Sequence, residues 1–321
     1  MVSNNSRQIK IGVSTCLLGQ NVRYDGGHKH DRFLTESLGR FVRFVPICPE
    51  LEVGMGVPRE AVNLVGNPET PRMVGNNTGE DWTDRMNEFC KRRVRRKDVQ
   101  ALCGYILKRK SPSCGMERIK IYNEESGMPT GAGQGLFAAD LMRAYPYLPV
   151  EEEGRLNDPG LRDNFIVRVF ALYRWKELNR QPFSRNRMVE FHTRHKYLLL
   201  AHNPQMYREM GRLVAAVKEI PPAQFKEQYR DLFMRTLSYR ATTRKNVNVL
   251  QHIVGFIKKQ MSVDEKRDVR QAIEDYHSEL VPLIVPITLI RHFIHKYGID
   301  YILAQVYLSP HPKELMLRNH L

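Results

Sequence analysis

The sequence lacks any long uninterrupted run of apolar residues, which limits where the chain is expected to work. None of its apolar stretches approaches the roughly 20 residues that a membrane-spanning helix needs. The first residues, MVSNNSRQIK, are polar and lead only into a short apolar run, IGV. A secretory signal peptide has a longer apolar stretch and a small-residue cleavage site. We therefore expect a cytoplasmic protein that does not associate with a membrane.

Paired CxxC motifs are also absent, although the chain contains five cysteines. Structural zinc sites normally use four ligands, often supplied as such pairs, so this pattern does not favour zinc. Disulfides are rare in the cytoplasm, and we expect free thiols or metal ligands instead. All five cysteines precede residue 115: Cys16, Cys48, Cys90, Cys103 and Cys114.

Positive charge, by contrast, is abundant. The 321 residues include 50 Lys and Arg against 35 Asp and Glu, a formal net charge of +15. Such an excess often indicates a polyanionic partner such as nucleic acid, although a soluble basic protein without that partner has the same composition. The chain is long enough for two domains, and 42% hydrophobic residues are sufficient for buried cores.

Strand-like and helix-like stretches alternate in the first half of the sequence. Apolar stretches at 8–15, 41–47 and 102–107 are typical of buried strands, and 82–99 has the pattern of a helix. Strands separated by helices predict an α/β domain with a parallel sheet.

The second half has helical periodicity almost throughout. Seven helices are predicted, at 164–178, 188–203, 206–220, 225–239, 247–261, 263–277 and 287–298. The polar segment 151–160, EEEGRLNDPG, is typical of a linker. We therefore predict an α/β domain at residues 1–155 and an all-α basic domain at residues 156–321.

The excess charge is concentrated in the helical half. Residues 1–160 hold 23 basic and 20 acidic residues, a net of +3, whereas residues 161–321 hold 27 and 15, a net of +12. The first half adds one dense run, KRRVRRK at 91–97, whose like charges repel one another. If RNA binds, charge clustering selects as candidate contacts Lys91, Arg92, Arg93, Arg95, Arg96, Lys97, Arg244, Lys245, Lys258 and Lys259.

Three of the cysteines share a local character. Cys16, Cys48 and Cys114 each follow an apolar strand-like run and lie in a turn rich in Pro, Gly or Ser. Such turns meet at the carboxyl edge of a parallel sheet. Three thiolates without a fourth suit a [4Fe–4S] cluster that leaves one iron open, but scattered buried cysteines remain an alternative on spacing alone. Cys90 lies in a predicted helix and Cys103 at a strand start, as expected of small core residues.

The motifs STCLLGxNVRYDGG, PICPExxxGxxxPR and LKxxSPSCG occur in this order, followed by GAGQGLFAADL. Over roughly residues 8–148 the chain resembles the thiouracil desulfidase family. The resemblance implies that residues 1–155 form an iron–sulfur desulfidase domain, with a [4Fe–4S] cluster held by Cys16, Cys48 and Cys114 and sulfur captured at the open iron. It also implies catalytic roles for Glu50 of the CPE motif and Ser111 of the SPSC motif.

The helical half resembles the all-helical domain fused behind such desulfidase domains in proteins that act on 4-thiouridine in transfer RNA. The matching stretches include FHTRHKYLLLAHN and QVYLSPHPKELMLRN. This half has no obvious catalytic motif. His192 and His195 are three residues apart, but without a carboxylate partner this spacing is more typical of packing than of metal binding.

Together these features predict a non-redox desulfidase that converts 4-thiouridine in tRNA to uridine and releases sulfide. Replacing C=S by C=O needs a Lewis acid for sulfur, a water and a proton route. Glu50 would act as general base or proton shuttle, and Ser111 would orient or relay a proton. The alternatives are that Glu50 is a loop salt-bridge partner and Ser111 a turn cap. Two alternatives exist for the function of the whole protein. It could remove sulfur from free thiouracil or its nucleosides, or it could be a non-catalytic iron–sulfur RNA-binding or sensor protein.

Overall fold

The computed structural model describes residues 9–320, and the chain divides between Asp158 and Pro159 into two compact units. The first unit is an α/β domain and the second consists of helices and short turns. This arrangement confirms the predicted fold class.

A four-stranded sheet forms the centre of the first unit. Its spatial order is β2-β1-β5-β8, and every neighbouring pair is parallel. The strands are β1 (Lys10–Ser14), β2 (Arg43–Ile47), β5 (Gly104–Leu107) and β8 (Val150–Glu152). The first three confirm the predicted strands, of which only Gln8 lies outside the described residues, and β8 was not predicted. Because all four run the same way, their carboxyl ends share one edge.

The apolar residues of these strands explain their place in the core. Ile11 and Val13 of β1 are fully buried, and all four residues of β5 are buried. Gly12, between them, allows the close approach of β5, since a Cβ there would lie 2.2 Å from the ring of Tyr105. The two central strands are thereby fixed side by side, and the loops that follow them emerge together.

A second sheet of four short strands was not predicted. Its order is β4-β3-β6-β7, with β3 and β6 parallel and the other pairs antiparallel. The strands are β3 (Val62–Val65), β4 (Arg72–Gly75), β6 (Ile119–Tyr122) and β7 (Pro129–Gly133). β7 reads PTGAG, and because Pro and Gly disfavour strands, this segment carries no strand signal.

The described part of the first unit also has four α-helices: α1 (Pro49–Glu52), α2 (Thr83–Val94), α3 (Lys97–Gln100) and α4 (Leu136–Ala144). The single helix predicted at 82–99 is wrong in this detail, because the structure has α2 and α3 separated at Arg95 and Arg96. Arg96 has extended backbone, φ −68° and ψ 145°. The break allows Val94 and Val99 both to be buried, although five residues on one continuous helix would point about 140° apart.

The second unit contains eight helices in the described residues, which include all seven predicted ones. They are α5 (Pro159–Asn179), α6 (Arg185–His202), α7 (Pro204–Ala215), α8 (Pro222–Ser238), α9 (Thr243–Ile257), α10 (Val263–His277), α11 (Ile284–Lys296) and α12 (Asp300–Leu303). An aromatic cluster joins α5, α6 and α8: the ring of Trp175 stacks on Tyr229 at 5.1 Å and meets Phe191 edge-on at 5.7 Å. Within residues 9–320, every helix is too short or too polar to cross a bilayer.

Candidate active site

The loops at the carboxyl edge of the parallel sheet bring Cys16, Cys48 and Cys114 to one cavity of about 330 Å³. Cys16 lies in the 3-10 turn Thr15–Leu18 that directly follows β1. Cys48 directly follows β2 and precedes α1. Cys114 lies in the loop between β5 and β6. Residues separated widely in sequence are thus joined by adjacent parallel strands.

The electrostatics of this cavity disfavour three bare thiolates. Burial, with a smaller contribution from the nearby Cys48, raises the pKa of Cys16 to about 11. Burial also raises the pKa values of Cys48 and Cys114. Removing the protons therefore requires a cation or a metal centre that replaces the lost solvation, which is how thiolate ligands are normally stabilised.

The donor set fits an iron–sulfur cluster. In such a cluster each cysteine binds a different iron atom, so the thiols surround a space instead of meeting at one point. Cys16, Cys48 and Cys114 all line the same cavity, as three ligands of one cluster would. No three His, Cys, Asp or Glu side chains in residues 9–320 are placed to hold a single metal ion.

Glu50 is held beside the cysteines by contacts to both of its carboxylate oxygens. Oε1 accepts a hydrogen bond of 2.7 Å from Ser113 Oγ and one of 3.3 Å from Ser111 Oγ. Oε2 forms an ion pair with Arg59. The Glu50 and Arg59 side chains are 13% and 6% exposed, so both charges are largely removed from water. The structure therefore brings together the two predicted catalytic residues, Glu50 and Ser111.

Ser111 also contacts the loop that carries Cys114. Its Oγ accepts a 3.2 Å hydrogen bond from the Cys114 backbone N–H, and lies 3.0 Å from Ser113 Oγ. Ser113 Oγ lies 3.6 Å from Cys114 Sγ. The Ser113 hydroxyl thus lies between the Glu50 carboxylate and the Cys114 thiol, a short path along which a proton can move.

Sequence reasoning missed Arg59 and Ser113 as members of this site. Both lie inside motifs that were recognised, Arg59 as the last residue of PICPExxxGxxxPR and Ser113 as the second serine of SPSC. Arg59 is also anchored to the backbone, because its Nη1 donates to the carbonyls of Val22 at 3.1 Å and Gly56 at 2.9 Å. The motif PICPExxxGxxxPR contains both Glu50 and Arg59, and this shared motif is the signal that could have identified Arg59 as a partner of Glu50.

Basic side chains line the same cavity at its rim: Arg23, Lys29, Lys108, Arg109 and Lys110. Two of them are neutralised locally, Arg23 by Asp25 at 2.9 Å and Lys108 by Glu153 at 2.7 Å. The rim as a whole is suited to an anionic or electron-rich ligand.

Cys90 and Cys103 lie apart from the cavity lining, as predicted. They are 0% and 2% exposed. Burial raises the pKa of Cys90 to about 12, which is typical of an unreactive core thiol.

The candidate RNA contacts divide into accessible and internal groups. Arg93 is a correction: its side chain is 6% exposed and pairs with Glu52 at 3.0 Å and Asp98 at 2.9 Å. The prediction counted Arg93 with its charged neighbours, but Arg93 lies on the side of helix α2 that faces the interior of the first unit. Lys245 is half-buried and its ammonium donates to the carbonyl of His202 at 2.7 Å. The others are exposed: Lys91, Arg92, Arg95, Arg96, Lys97, Arg244, Lys258 and Lys259.

His192 and His195 are packing residues. Nδ1 of His192 lies 3.2 Å from Tyr229 Oη, and burial lowers the pKa of His192 to about 4. Nδ1 of His195 bonds to the Phe191 carbonyl at 2.7 Å, and its Nε2 accepts from Arg174 at 3.2 Å. These contacts engage the rings with other residues, which agrees with the interpretation made from spacing.

Comparison with known families assigns each unit a match. The family described as 2-thiouracil desulfurase matches residues 11–153. A family described as a protein of unknown function, DUF1722, matches residues 196–312.

Similar individual proteins each match about half of this chain. The uncharacterized protein YbgA of Escherichia coli (strain K12) is 28% identical over 158 residues, covering 49% of this chain and 94% of its own length. The uncharacterized protein YbbK of Bacillus subtilis (strain 168) is 35% identical over 159 residues, covering 46% and 98%. A solved structure, the [4Fe-4S]-dependent thiouracil desulfidase TudS, is 32% identical and covers 47% of this chain and 94% of its own, with a TM-score of 0.38.

Proposed function

Since the chain belongs, through residues 11–153, to the 2-thiouracil desulfurase family, we propose that it is a desulfidase acting on a thiolated uracil base. The reaction replaces the thiocarbonyl sulfur by the oxygen of water and releases sulfide. One observation carries this proposal: three cysteines and a hydrogen-bonded carboxylate, Glu50, line the same cavity.

In this proposal Cys16, Cys48 and Cys114 hold a [4Fe–4S] cluster, the cofactor on which TudS depends. When bound, an iron atom without a protein ligand supplies a soft Lewis acid for the thiocarbonyl sulfur. The three thiols would lose their protons on loading, and metal binding offsets the unfavourable burial of their charges.

In this proposal Glu50 accepts a proton from the attacking water. Ser111 and Ser113 donate to one of its oxygens and Arg59 pairs with the other, so the carboxylate is oriented and its charge is compensated. After attack at the thiocarbonyl carbon, that proton is returned to the sulfur as the carbon–sulfur bond breaks. The second water proton leaves the new hydroxyl group as C=O forms, so the sulfur departs as hydrogen sulfide. Carbon keeps its oxidation state, so no electron donor is required.

For the substrate we propose 4-thiouridine in transfer RNA. Support comes from the net charge of +12 on residues 161–321 and from the exposed basic residues of both units. A base stacked in folded RNA must be exposed before it reaches a buried site, at a cost of a few kcal/mol. Phosphate contacts supplied by the helical unit would offset that cost.

The test is nucleoside analysis of thiolated tRNA incubated without oxygen with the iron-loaded protein. We expect 4-thiouridine to decrease, uridine to increase, and sulfide to appear in equal amount. Conversion of free 4-thiouracil without conversion of tRNA would retain the desulfidase and exclude the RNA substrate. No conversion of either, with iron bound, would favour the non-catalytic sensor.

A further inference from the structure

A lysine and three aromatic rings form a group on the surface of the helical unit. Lys196 Nζ lies 4.6 Å from the ring centre of Tyr197, 4.9 Å from that of Tyr301 and 5.6 Å from that of Phe256. The rings of Phe256 and Tyr301 are 5.9 Å apart, inclined at 44°. We refer to Lys196, Phe256 and Tyr301 as the aromatic platform.

The two outer rings of the platform are open to solvent. Phe256 is 45% exposed and Tyr301 44% exposed, whereas Tyr197 is 5% exposed. Single exposed apolar residues are ordinary on protein surfaces. Two adjacent exposed rings brought together from α9 and α12, with an ammonium close to both, form an apolar surface beside a positive charge.

The surroundings of the platform are basic. Lys259 follows Phe256 by three residues and lies in the turn after α9. It also lines a cleft of about 530 Å³ between α9 and α10, together with Lys258, Lys266 and Arg270. Glu274 adds a carboxylate to the same cleft. The balance of charge favours an anionic ligand that reaches from the platform toward this cleft.

We propose that the aromatic platform binds an unpaired nucleobase of RNA, with the adjoining phosphates on Lys258 and Lys259. Every base has a π-face that stacks on aromatic rings, and the sugar-phosphate backbone supplies the matching charge. An acidic peptide could pair with the lysines, but its carboxylates would not stack on the two exposed rings. The proposal rests on the proposed function, because RNA must be the partner.

The platform is tested by RNA affinity of the full chain with aliphatic replacements. Phe256→Leu and Tyr301→Leu remove the rings, and Tyr239→Leu replaces a comparably exposed tyrosine, 49% exposed, as the matched control. The probes are unmodified tRNA and a single-stranded oligouridylate, followed by fluorescence anisotropy. Stacking contributes about 1–3 kcal/mol per base, so each platform variant is expected to bind about 5- to 150-fold more weakly.

Three further readouts distinguish stacking from misfolding or from an altered charge. Phe256→Tyr, which keeps a ring, is expected to restore affinity, and the salt dependence of Phe256→Leu is expected to equal that of the wild type. Turnover of free 4-thiouracil by the iron-loaded variants is expected to be unchanged.

Unchanged RNA affinity in both leucine variants would overturn the platform. If RNA binding by the wild type still weakened with salt in that case, RNA would remain the proposed substrate. Absence of RNA binding by the wild type would overturn both, and equal weakening in Tyr239→Leu would overturn the assignment of the effect to the platform.

Discussion

Glu50 and Arg59 form an ion pair whose two side chains are nearly removed from solvent. Removing one partner of such a pair leaves the other charge buried and uncompensated, which commonly costs about 3–5 kcal/mol. Arg59 therefore stabilises the site in addition to orienting Glu50. Its Nε is buried and has no hydrogen-bond partner among residues 9–320.

We expect Glu50→Gln to abolish most turnover while iron binding persists. Gln keeps the shape and the hydrogen-bond acceptor for Ser113 but cannot remove a proton from water, so the rate should fall by ~10²-fold or more. Ser111→Ala and Ser113→Ala should reduce turnover by smaller factors, because each leaves one hydroxyl on the carboxylate. The measurement is sulfide release per bound cluster. Near-normal rates in all three variants would contradict the proton-transfer roles assigned to Glu50 and the two serines.

The cysteines allow a sharp comparison within one domain. Replacing Cys16, Cys48 or Cys114 by Ala should remove a ligand and abolish stable binding of the cluster. The measurement is iron content after reconstitution without oxygen, which should be about four irons per chain in the wild type. Cys90→Ala and Cys103→Ala are the controls, since both residues are buried away from the cavity lining. A full iron content in Cys114→Ala would contradict the ligand assignment.

At the level of helices and strands, long elements with regularly spaced apolar residues could be predicted from the sequence, and the short strands of the second sheet could not. Helices α7, α9 and α10 carry apolar residues at helical spacing over 12–15 residues, and all three were predicted. The strands of the second sheet have only four or five residues, and its two hairpins, β3–β4 and β6–β7, are joined by the pairing of β3 with β6 from a distant part of the chain. Local sequence does not encode such long-range pairing, so that sheet could not be predicted.

Helix α10 begins with a capping box, and its Glu265 also anchors α11. The Glu265 carboxylate accepts 2.6 Å hydrogen bonds from Lys296 Nζ and Tyr297 Oη, and a 2.7 Å bond from the Ser262 N–H. The bond from Lys296, then those from Tyr297 and Ser262, lower the pKa of Glu265 from 4.5 to about 2. The folded pKa lies below the unfolded value, so this stabilisation is present above about pH 4.5 and is lost as the pH falls toward about 2.

Glu265→Gln should therefore lower the melting temperature near neutral pH, and the difference from wild type should shrink as the pH falls below about 4.5. Gln still completes a capping box, so the substitution removes the charge and leaves the cap. Circular dichroism melts of the full chain across this range would measure it. Glu190→Gln, in an exposed pair 3.9 Å from Arg194, serves as the control and should change little. A pH-independent difference for Glu265→Gln would contradict the electrostatic origin.

At the level of the whole molecule, the division of charge assigns the proposed chemistry to the first unit and the proposed RNA binding to the second. The cysteines, Glu50 and the serines all precede residue 115, whereas the net charge of +12 follows residue 160. From its motifs the sequence proposed Cys16, Cys48, Cys114, Glu50 and Ser111, which line one cavity. It could not predict that Arg93 turns inward or that Arg59 pairs with Glu50, because both depend on the three-dimensional arrangement of the chain.

Reversing two exposed charges tests this division. Lys258→Glu with Lys259→Glu should weaken tRNA binding and reduce the slope of log affinity against log salt by about one for each phosphate that the protein no longer neutralises. Lys218→Glu changes an exposed lysine of the same unit outside the cleft and is the control. An unchanged slope in the double variant would place the phosphate-binding surface elsewhere, with the exposed residues of 91–97 as the next candidates.

The position of β5 between β1 and β8 also sets an order of events during synthesis. β5 pairs with β1 on one side and with β8, Val150–Glu152, on the other. A growing chain that has emerged only as far as residue 100 already exposes Cys16 and Cys48 but lacks both the strand that precedes Cys114 and Cys114 itself. The cavity therefore exists only after most of the first unit has been translated, so metal insertion belongs to the finished domain and not to the nascent chain.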